Sequence, residues 1–444
     1  MEPPKTPPPL DALLSDPELL ARCAAAPPPL GDAHDYPHWD TLSKIPGEGE
    51  SARVERWYAH RLPRRAQLRD LPQLDGTGRP FRVWTPPVLL PALFRLDRAL
   101  RGDLLAEDPS IPSCARSRGL TDALIEEAVR SAQLDGAPTT TREARELLRS
   151  RRGPRTRGER MIRAQLDTLE WILASAEPPL DPDLVLETHR RLHAGARGSG
   201  RLRTPDEPVR VLDPATNAVL HTPPPAEELQ SRLEALCAFA NGTDDTTWLH
   251  PILRAILVHF WVAQDQPFPD ANCRAARTLF YRTMLQHGYR SAPYVSISAI
   301  LKREPPRYGR AFLLATTDEN DATHFVHFHL RVLERALATS EDALSSEERA
   351  LQELQLRLPA GTDLNPRQLA LLARALRAPH RPTTIRAHQN SHRVTYQTAR
   401  TDLLALEAQG LFSMRLAGRT MVFRPRKDLL ERLSGPEVKP EPTG

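Results

Sequence analysis

A short polar loop between two apolar helical segments constrains the fold of this chain more than any other sequence feature. The apolar residues before the loop recur at helical spacing and are Leu249, Ile252, Leu253, Ile256, Leu257 and Phe260. After the loop, which runs from Gln266 to Arg274, a second helical pattern begins at Ala275. Each pattern has an apolar face that burial would cover. We therefore predict that the loop is held between two core helices.

The start of the second helix suits a phosphate group. Backbone N–H groups in a first helical turn have no partner within the helix, and the helix dipole adds partial positive charge there. Arg274 and Arg277 are three residues apart, so both guanidinium groups can project from one face toward phosphate oxygens. Asp270, just before the helix, is placed to bind a Mg²⁺ ion shared with those oxygens. The pattern predicts a nucleotide-phosphate site.

The composition favours a mainly α protein of two or three domains. The chain has 444 residues, which is long for a single core, and only 5% of them are aromatic. Its four cysteines stand apart from one another, which predicts neither a disulfide framework nor a structural metal. No signal-like apolar stretch opens the chain and nowhere do eighteen apolar residues run together. We expect a cytoplasmic protein with no membrane partner.

Composition and periodicity divide the chain into six segments. The first, residues 1–35, is rich in Pro and Ala and is predicted to be a disordered tail. The others are an α/β segment at 36–105, a helical core at 106–338, a linker helix at 339–364, a C-terminal module at 365–430 and a tail at 431–444. Within the core, β-prone runs flank a turn-rich stretch and predict a hairpin from Val209 to Thr222.

The loop resembles that of the Fic (filamentation induced by cAMP) and Doc family, which reads His-Pro-Phe-x-Asp-Gly-Asn-Gly-Arg-x-x-Arg. Six positions match in register and are Pro267, Phe268, Asp270, Asn272, Arg274 and Arg277. The resemblance implies a Fic-type helical core with a β-hairpin flap at 106–338, and transfer of AMP from Mg·ATP to a hydroxyl group of a target protein. It implies that Asp270 binds Mg²⁺. The implied nucleotide-binding residues are Asn272, Cys273, Arg274 and Arg277.

Two further stretches agree with that resemblance. Gly200 to Arg203 resembles the family's Gly-x-Tyr-Arg turn, although Leu202 replaces the aromatic residue. The hairpin at 209–222 falls where the family has a flap that clamps the target segment by strand addition.

Three loop positions depart from the family pattern. The family histidine, which would deprotonate the attacking hydroxyl, is replaced by Gln266, and an amide cannot accept a proton near pH 7. That loss should cost about 10²- to 10⁴-fold in rate, roughly 3 to 5 kcal/mol of barrier. Ala271 and Cys273 replace glycines, and a Cβ at a position of positive φ costs roughly 1 to 2 kcal/mol. We expect a weakly active or inactive transferase in which Gln266 is non-catalytic and only hydrogen-bonds the loop backbone.

Several alternatives stay open at this level. A working transferase with a different base would draw on His250 or His259, although both residues could instead cap or pack their helix. Cys273 could be a reactive thiol, because a helix N-terminus lowers the pKa of a cysteine. The surviving aspartate and arginines could still bind ATP or another nucleotide without turnover.

A second resemblance concerns the family's inhibitory helix, which runs Ser-x-x-x-Glu-Gly-Asn. Its counterparts here are Ser131, Asp135 and Gly136. Where family members carry this helix on the N-terminal side, its glutamate pairs with the second loop arginine and blocks productive placement of ATP. Aspartate is about 1.5 Å shorter than glutamate, so Asp135 reaches Arg277 only if the helix lies closer. The alternative is a helix that ends at Gly136 with an exposed carboxylate.

The C-terminal module collects positive charge, with twelve Arg or Lys between Pro366 and Lys427 against two acidic residues. Three predicted helices and a hairpin at Ala417-Gly418 resemble a winged helix-turn-helix. The resemblance implies contacts with DNA through the recognition helix and the wing. The implied residues are Thr395, Tyr396, Gln397, Thr398, Arg400, Arg415 and Arg419. Protein contacts, including a homodimer, are the alternative use, and we expect a DNA-associated regulator.

Overall fold

The computed structural model of the chain is mainly helical. The residues that it describes are 3–25, 36–102, 113–150, 152–175, 178–193, 196, 198–213, 215–243, 248–358, 364–377, 381–392, 394–418 and 420–433. Every helix in these ranges is too short or too polar to span a membrane.

The helices are numbered in chain order. Those before the loop are α1 (Leu10–Leu14), α2 (Pro17–Ala25), α3 (Trp39–Leu42), α4 (Glu50–Gln67), α5 (Leu90–Arg101), α6 (Ser113–Leu134), α7 (Thr141–Ser150), α8 (Arg157–Ala174), α9 (Pro182–Leu192), α10 (Leu229–Asn241) and α11 (Pro251–Asp265). Those after it are α12 (Asn272–Gln286), α13 (Ile297–Leu301), α14 (Pro305–Thr317), α15 (Thr323–Arg357), α16 (Pro366–Arg377), α17 (Ile385–His392), α18 (Tyr396–Ala408) and α19 (Leu429–Leu433).

The strands form three small antiparallel sheets. They are β1 (Arg69–Leu74), β2 (Pro80–Val83), β3 (Val211–Leu212), β4 (Val219–His221), β5 (Thr383–Thr384), β6 (Phe412–Ala417) and β7 (Thr420–Pro425). β1 pairs with β2 and β3 with β4, while the last three strands have the order β5-β7-β6. The β3–β4 pair lies within the segment 209–222 that the turn pattern singled out.

Helices α11 and α12 form the centre of the main core. The α11 residues from Ile252 to Asp265 are all buried, and so is nearly all of α12. Phe260 of α11 stacks on Phe312 with ring centroids 5.6 Å apart, and Phe280 of α12 is fully buried. α11 is apolar on almost every side, and polar residues of α12 such as Arg277 and Thr278 have buried hydrogen-bond partners, so both helices can lie innermost. Their shared loop is therefore held by the best-packed part of the molecule.

The N-terminal segment differs from the prediction of a disordered tail over 1–35. Residues 10–14 and 17–25 are helical, and Leu13 is fully buried in a cluster with Trp57 and Tyr58 of α4. The prediction is thus wrong for the described residues 3–25. Leucines recur among the prolines, and the aromatic side chains of α4 supply the apolar partners that a local composition argument cannot foresee.

The boundary predicted at residue 338 falls inside one continuous helix, α15, which is 35 residues long. The sequence from Thr323 to Arg357 contains no Pro or Gly, so nothing stops the helix. Leu333 packs in the main core and Leu354 in the core of the C-terminal module. Residues 339–357 of the predicted linker helix are therefore the second half of α15, which belongs to both cores.

The C-terminal module contains α16, α17 and α18 around a small core, with β6 and β7 as a hairpin. Thr383 and Thr384, just before α17, form a strand paired with Phe423 and Val422. Their β-branched side chains favour that pairing. The module packs on α6, α7 and α15, and the Asn390 side chain donates a hydrogen bond to the Arg149 carbonyl at 2.5 Å.

Candidate active site

The loop between α11 and α12 contains two residues in the left-handed backbone region. Gln266 ends α11 with φ 42°, and Ala271 precedes α12 with φ 61°. Phe268 between them is fully buried and anchors the loop in the main core. Glycine would adopt this left-handed conformation easily, but Gln266 and Ala271 are not glycines.

Asn272 holds the loop closed through both ends of its amide. Its Oδ1 accepts the Phe268 N–H at 2.8 Å, and its Nδ2 donates to the Phe268 carbonyl at 2.8 Å. The side chain is buried. Asn272, predicted to contact phosphate, thus positions the loop backbone.

His189 on α9 was missed by the sequence analysis although it supports the loop directly. Its ring stacks on Phe268 with centroids 4.0 Å apart and planes 4° apart. Nδ1 accepts the Gly200 N–H at 3.0 Å, while Nε2 lies 3.1 Å from the Asp270 carbonyl oxygen and must carry the proton. Burial, followed by neighbouring His193, lowers the pKa of His189 to about 4, so the ring is neutral. The only sequence signal was a histidine within an amphipathic helix.

Arg203 and His221 also hold the loop and were not predicted as site residues. The Arg203 N–H donates to the Pro267 carbonyl and its Nε to the Gln266 carbonyl, both at 2.9 Å. The Nε2 of His221, on β4, lies 2.6 Å from the Gln264 carbonyl oxygen. The turn before β3 and the β3–β4 pair therefore lie beside the loop.

Asp270 presents a half-exposed carboxylate at the start of α12. Its Oδ2 lies 3.5 Å from Nε2 of His193 and 3.8 Å from a terminal nitrogen of Arg157. Its Oδ1 accepts the Ala271 N–H at 2.7 Å. With 55% of its side chain exposed, Asp270 is accessible to a ligand from solvent.

Asp135, at the end of α6, contacts both predicted phosphate-binding arginines. Its Oδ2 accepts Arg274 Nε at 3.2 Å and its Oδ1 accepts Arg277 Nη2 at 3.1 Å. Ser131 accepts two more hydrogen bonds from Arg277, at Oγ (2.9 Å) and at its carbonyl (3.0 Å). Gly136 follows with φ 86°, which turns the chain away. The short aspartate does reach the guanidinium groups, because α6 lies directly against α12.

Gln266 uses its side chain within the loop. Its Nε2 donates to the Ala263 carbonyl at 2.7 Å, and the residue is 8% exposed. The amide therefore closes the left-handed end of α11.

Cys273 lies in the first turn of α12. Among the described residues of that turn, those after Ala271 have negative φ. A Cβ is therefore tolerated at this former glycine position without backbone strain. Burial, followed by Asp135, raises the pKa of the Cys273 thiol to about 11. The raised pKa argues against a reactive thiolate at Cys273, because burial favours the neutral thiol.

His250 and His259, the candidate substitute bases, have structural roles. His250 caps α11, accepting the Ile252 N–H at Nδ1 over 3.3 Å. His259 is fully buried with its Nε2 2.8 Å from the Tyr308 hydroxyl. Burial holds the pKa of His259 well below its usual value. These roles leave neither His250 nor His259 placed to act as a general base at the loop.

A group of potential metal ligands lies elsewhere, at Asp318, Asp321 and His324. Nη1 of Arg61 lies 3.1 Å from Asp318 Oδ1 and 3.6 Å from Asp321 Oδ2. The Arg61 guanidinium supplies the positive charge that a metal ion would otherwise bring, and it neutralises the two carboxylates. This cluster ties α4 to the start of α15.

The residues predicted to contact DNA lie at two places on the C-terminal module. Thr395 caps α18, with its Oγ1 accepting the Thr398 N–H at 3.1 Å. Thr395, Tyr396 and Gln397 are exposed, whereas Thr398 and Arg400 are half-buried. Arg415 is exposed on β6. Arg419 lies outside the described residues.

Replacement of Ala271 by Gly is expected to stabilise the chain by about 1 kcal/mol, because it removes the cost of a Cβ at φ 61°. Urea unfolding measures the change. Ala275→Gly is the matched control, since Ala275 lies in the right-handed interior of α12 and its loss should destabilise by about 1 kcal/mol. Equal destabilisation by both changes would contradict the strain at Ala271.

Comparison with known proteins finds similarity in the region of this loop. Residues 179–284 match the model described as "Fic/DOC family". "Protein adenylyltransferase Fic" of Nematostella vectensis is 29% identical over 157 residues, which are 35% of this chain and 33% of that protein. The protein of that name from Drosophila melanogaster is 26% identical over 230 residues, which are 50% of this chain and 43% of that protein. The chain therefore matches a third to less than half of the length of these curated relatives.

Two solved structures are also similar. A Fic family protein from Desulfovibrio desulfuricans G20 has a TM-score of 0.49 at 20% identity, over 76% of this chain and 96% of that chain. Fic-1 from C. elegans has a TM-score of 0.47 at 20% identity, over 69% of this chain and 81% of that chain. The match to the Fic/DOC family model covers residues 179–284 of this chain, which include the loop, α9, α11 and most of α12.

Proposed function

We propose that this chain is a Fic-type protein adenylyltransferase scaffold that binds ATP and has lost most or all transfer of AMP. The observation that carries the proposal is Gln266 at the position of the family histidine. Its amide donates to the Ala263 carbonyl and offers no group that accepts a proton near pH 7. Labelled ATP with Mg²⁺ tests the proposal, and the native chain should label itself and the proteins of a lysate far more weakly than Gln266→His.

The loop residues fit a magnesium nucleotide. Arg274 and Arg277 lie in the first two turns of α12, whose opening N–H groups face the same loop. Asp270 offers one accessible carboxylate, and Mg²⁺ is commonly held by one or two carboxylates together with substrate phosphates. When bound, the ion neutralises phosphate charge. Arg157, a permanent cation, and the ring of His193 already lie close to Asp270, which supports a site for a charged ligand.

Helix α6 fits the part of an inhibitory element. Each oxygen of Asp135 accepts a hydrogen bond from one loop arginine, and Ser131 takes two further donors of Arg277. Phosphate oxygens that bind these guanidinium groups must therefore displace Asp135. The contact supports a brake on ATP placement.

The rival function is an active nucleotidyl or phosphate-group transferase with a different base. One observation favours it: burial raises the pKa of Asp265, next to Gln266, to about 7, which suits a general base. The Asp265 carboxylate, however, accepts Trp261 Nε1 at 2.9 Å and lies 3.5 Å from Arg232 Nη1. Those contacts point it to the interior and to α10, so we rank this function second.

We further propose that the C-terminal module is a winged helix-turn-helix through which the protein acts as a DNA-associated regulator. The module has three helices and a β6–β7 hairpin, which is the element set of that motif. Exposed polar residues open α18, and Arg415 extends from the hairpin. Protein contacts or a homodimer through the same surface are the alternative.

Duplex DNA binding by the full chain is expected to weaken steeply as salt rises, because each phosphate contact releases counterions. Arg415→Gln should lower the slope of log K against log[salt] by about 1. Arg307→Gln is the matched control, since Arg307 is also exposed but lies on α14. Fluorescence anisotropy measures both. Binding that is absent or insensitive to salt would count against a DNA role.

A further inference from the structure

A cavity of about 440 Å³ lies where the C-terminal module packs against the helical core. Its core side is lined by α6, α7 and α15, together with residues around α13. Arg377 of α16 and Arg381 line it from the module side. The cavity is separate from the loop between α11 and α12, which contributes none of its lining residues.

Positive charge exceeds negative charge in this cavity. Its basic lining residues are Arg145, Arg149, Arg303, Arg377 and Arg381, and its acidic ones are Asp122 and Glu126. Among the described lining residues, basic side chains therefore outnumber acidic ones. A cavity with this surplus attracts anions, because its low-dielectric walls concentrate the field.

Each of the two acidic residues pairs with one arginine of the lining. Asp122 pairs with Arg149 at 2.8 Å, and Glu126 pairs with Arg145. In the part of the chain that the structure describes, Arg303 forms no ion pair, and the buried Nε of Arg149 has no hydrogen-bond partner. A buried guanidinium N–H without a partner, such as Arg149 Nε, is unusual and suits an anionic oxygen.

The remaining lining suits a small molecule. Ser296, Thr339 and Ser340 supply hydroxyl groups, and Tyr294 supplies an aromatic ring. The volume lies within the range of about 300 to 1,000 Å³ that is typical of small-molecule sites. Forked guanidinium groups match phosphate oxygens, and several guanidinium groups around one cavity suit a ligand with two linked phosphates.

From this geometry we propose that the cavity binds a small ligand that carries a diphosphate group, such as a nucleotide, at the junction of core and module. Helix α6 contributes Asp122 and Glu126 to the cavity and, further along, Ser131 and Asp135 to the contact with the loop arginines. A ligand that competes for Arg145 and Arg149 therefore acts on the helix that contacts the loop. The proposal goes beyond the proposed function, since it concerns a second site and holds whether or not AMP is transferred.

Isothermal titration of the full chain with pyrophosphate, without Mg²⁺, tests this site. We expect the double variant Arg303→Gln/Arg381→Gln to weaken binding at least tenfold. Arg290→Gln, an exposed arginine outside the cavity, is the matched control and should leave binding unchanged. Arg274→Gln should retain the cavity's binding, because it alters only the loop.

Three outcomes would overturn the proposal. The native chain may fail to bind pyrophosphate, Arg290→Gln may weaken binding as much as the double variant, or Arg274→Gln alone may abolish it. Circular dichroism and a thermal unfolding midpoint confirm that each variant is folded. Arg303 is exposed, so its replacement should not change that midpoint appreciably.

Discussion

Replacement of Gln266 by His is expected to raise AMP transfer by about 10²- to 10⁴-fold over the native chain. The substitution supplies the proton acceptor that an amide lacks, which is worth roughly 3 to 5 kcal/mol of barrier. The backbone can accept it, because His is among the residues that adopt the left-handed region most readily and Gln266 has φ 42°. Labelled ATP and Mg²⁺, followed by electrophoresis of the chain with a lysate, measure the transfer.

The controls separate the base from the rest of the loop. Gln266→Asn keeps an amide in the left-handed position and should stay as inactive as the native chain. Gln266→His/Asp270→Ala should lose the gain, because Asp270 is the proposed Mg²⁺ ligand. If the native chain labels as strongly as Gln266→His, the missing base is not what limits transfer. If Gln266→His gains activity only together with Asp135→Asn, the α6 contact is the dominant block.

Replacement of Asp135 by Ala is expected to lower the free energy of unfolding by about 3 kcal/mol. The Arg277 side chain is fully buried and would lose its carboxylate partner, while keeping two hydrogen bonds to Ser131. Urea unfolding of the full chain measures the change. Asp167→Ala is the matched control, since Asp167 is 56% exposed beside Arg163 and its loss should cost at most about 1 kcal/mol.

Mg·ATP should then stabilise Asp135→Ala more than it stabilises the native chain. In the variant both loop arginines are released for phosphate, and a ligand at a hundred times its Kd adds about 2.7 kcal/mol. Thermal unfolding with and without Mg·ATP gives the two increments. An equal increment in both proteins would show that Asp135 does not compete with the nucleotide, and the proposed brake would then be withdrawn.

The loop illustrates how far sequence alone reaches. The apolar spacing on both sides of Gln266–Arg274 predicted two core helices, because each pattern has an apolar face that burial covers. His189 and Arg203 could not be found in this way. Both hold the loop through its backbone carbonyls, which are the same in every sequence, and they precede it by more than sixty residues.

The domain boundaries show a different limit. Charge and composition suggested a break at residue 338, yet α15 continues through it. A helix without Pro or Gly stops only where its neighbours stop covering it, and α15 passes from one core to the other. The same reasoning applies to residues 10–25, whose helices depend on the aromatic residues of α4.

By itself the sequence determined the chemical identity of the loop: a glutamine for the family histidine, an aspartate before the helix, and two arginines one turn apart. It also determined where the loop lies between core helices. Only the tertiary structure decided that Asp135 reaches Arg274 and Arg277, and that arginines of the core and the module surround one cavity. Identity and local periodicity are properties of neighbours along the chain. Ion pairs and cavities depend on distances of a few ångströms between helices that are far apart in sequence, and packing sets those distances.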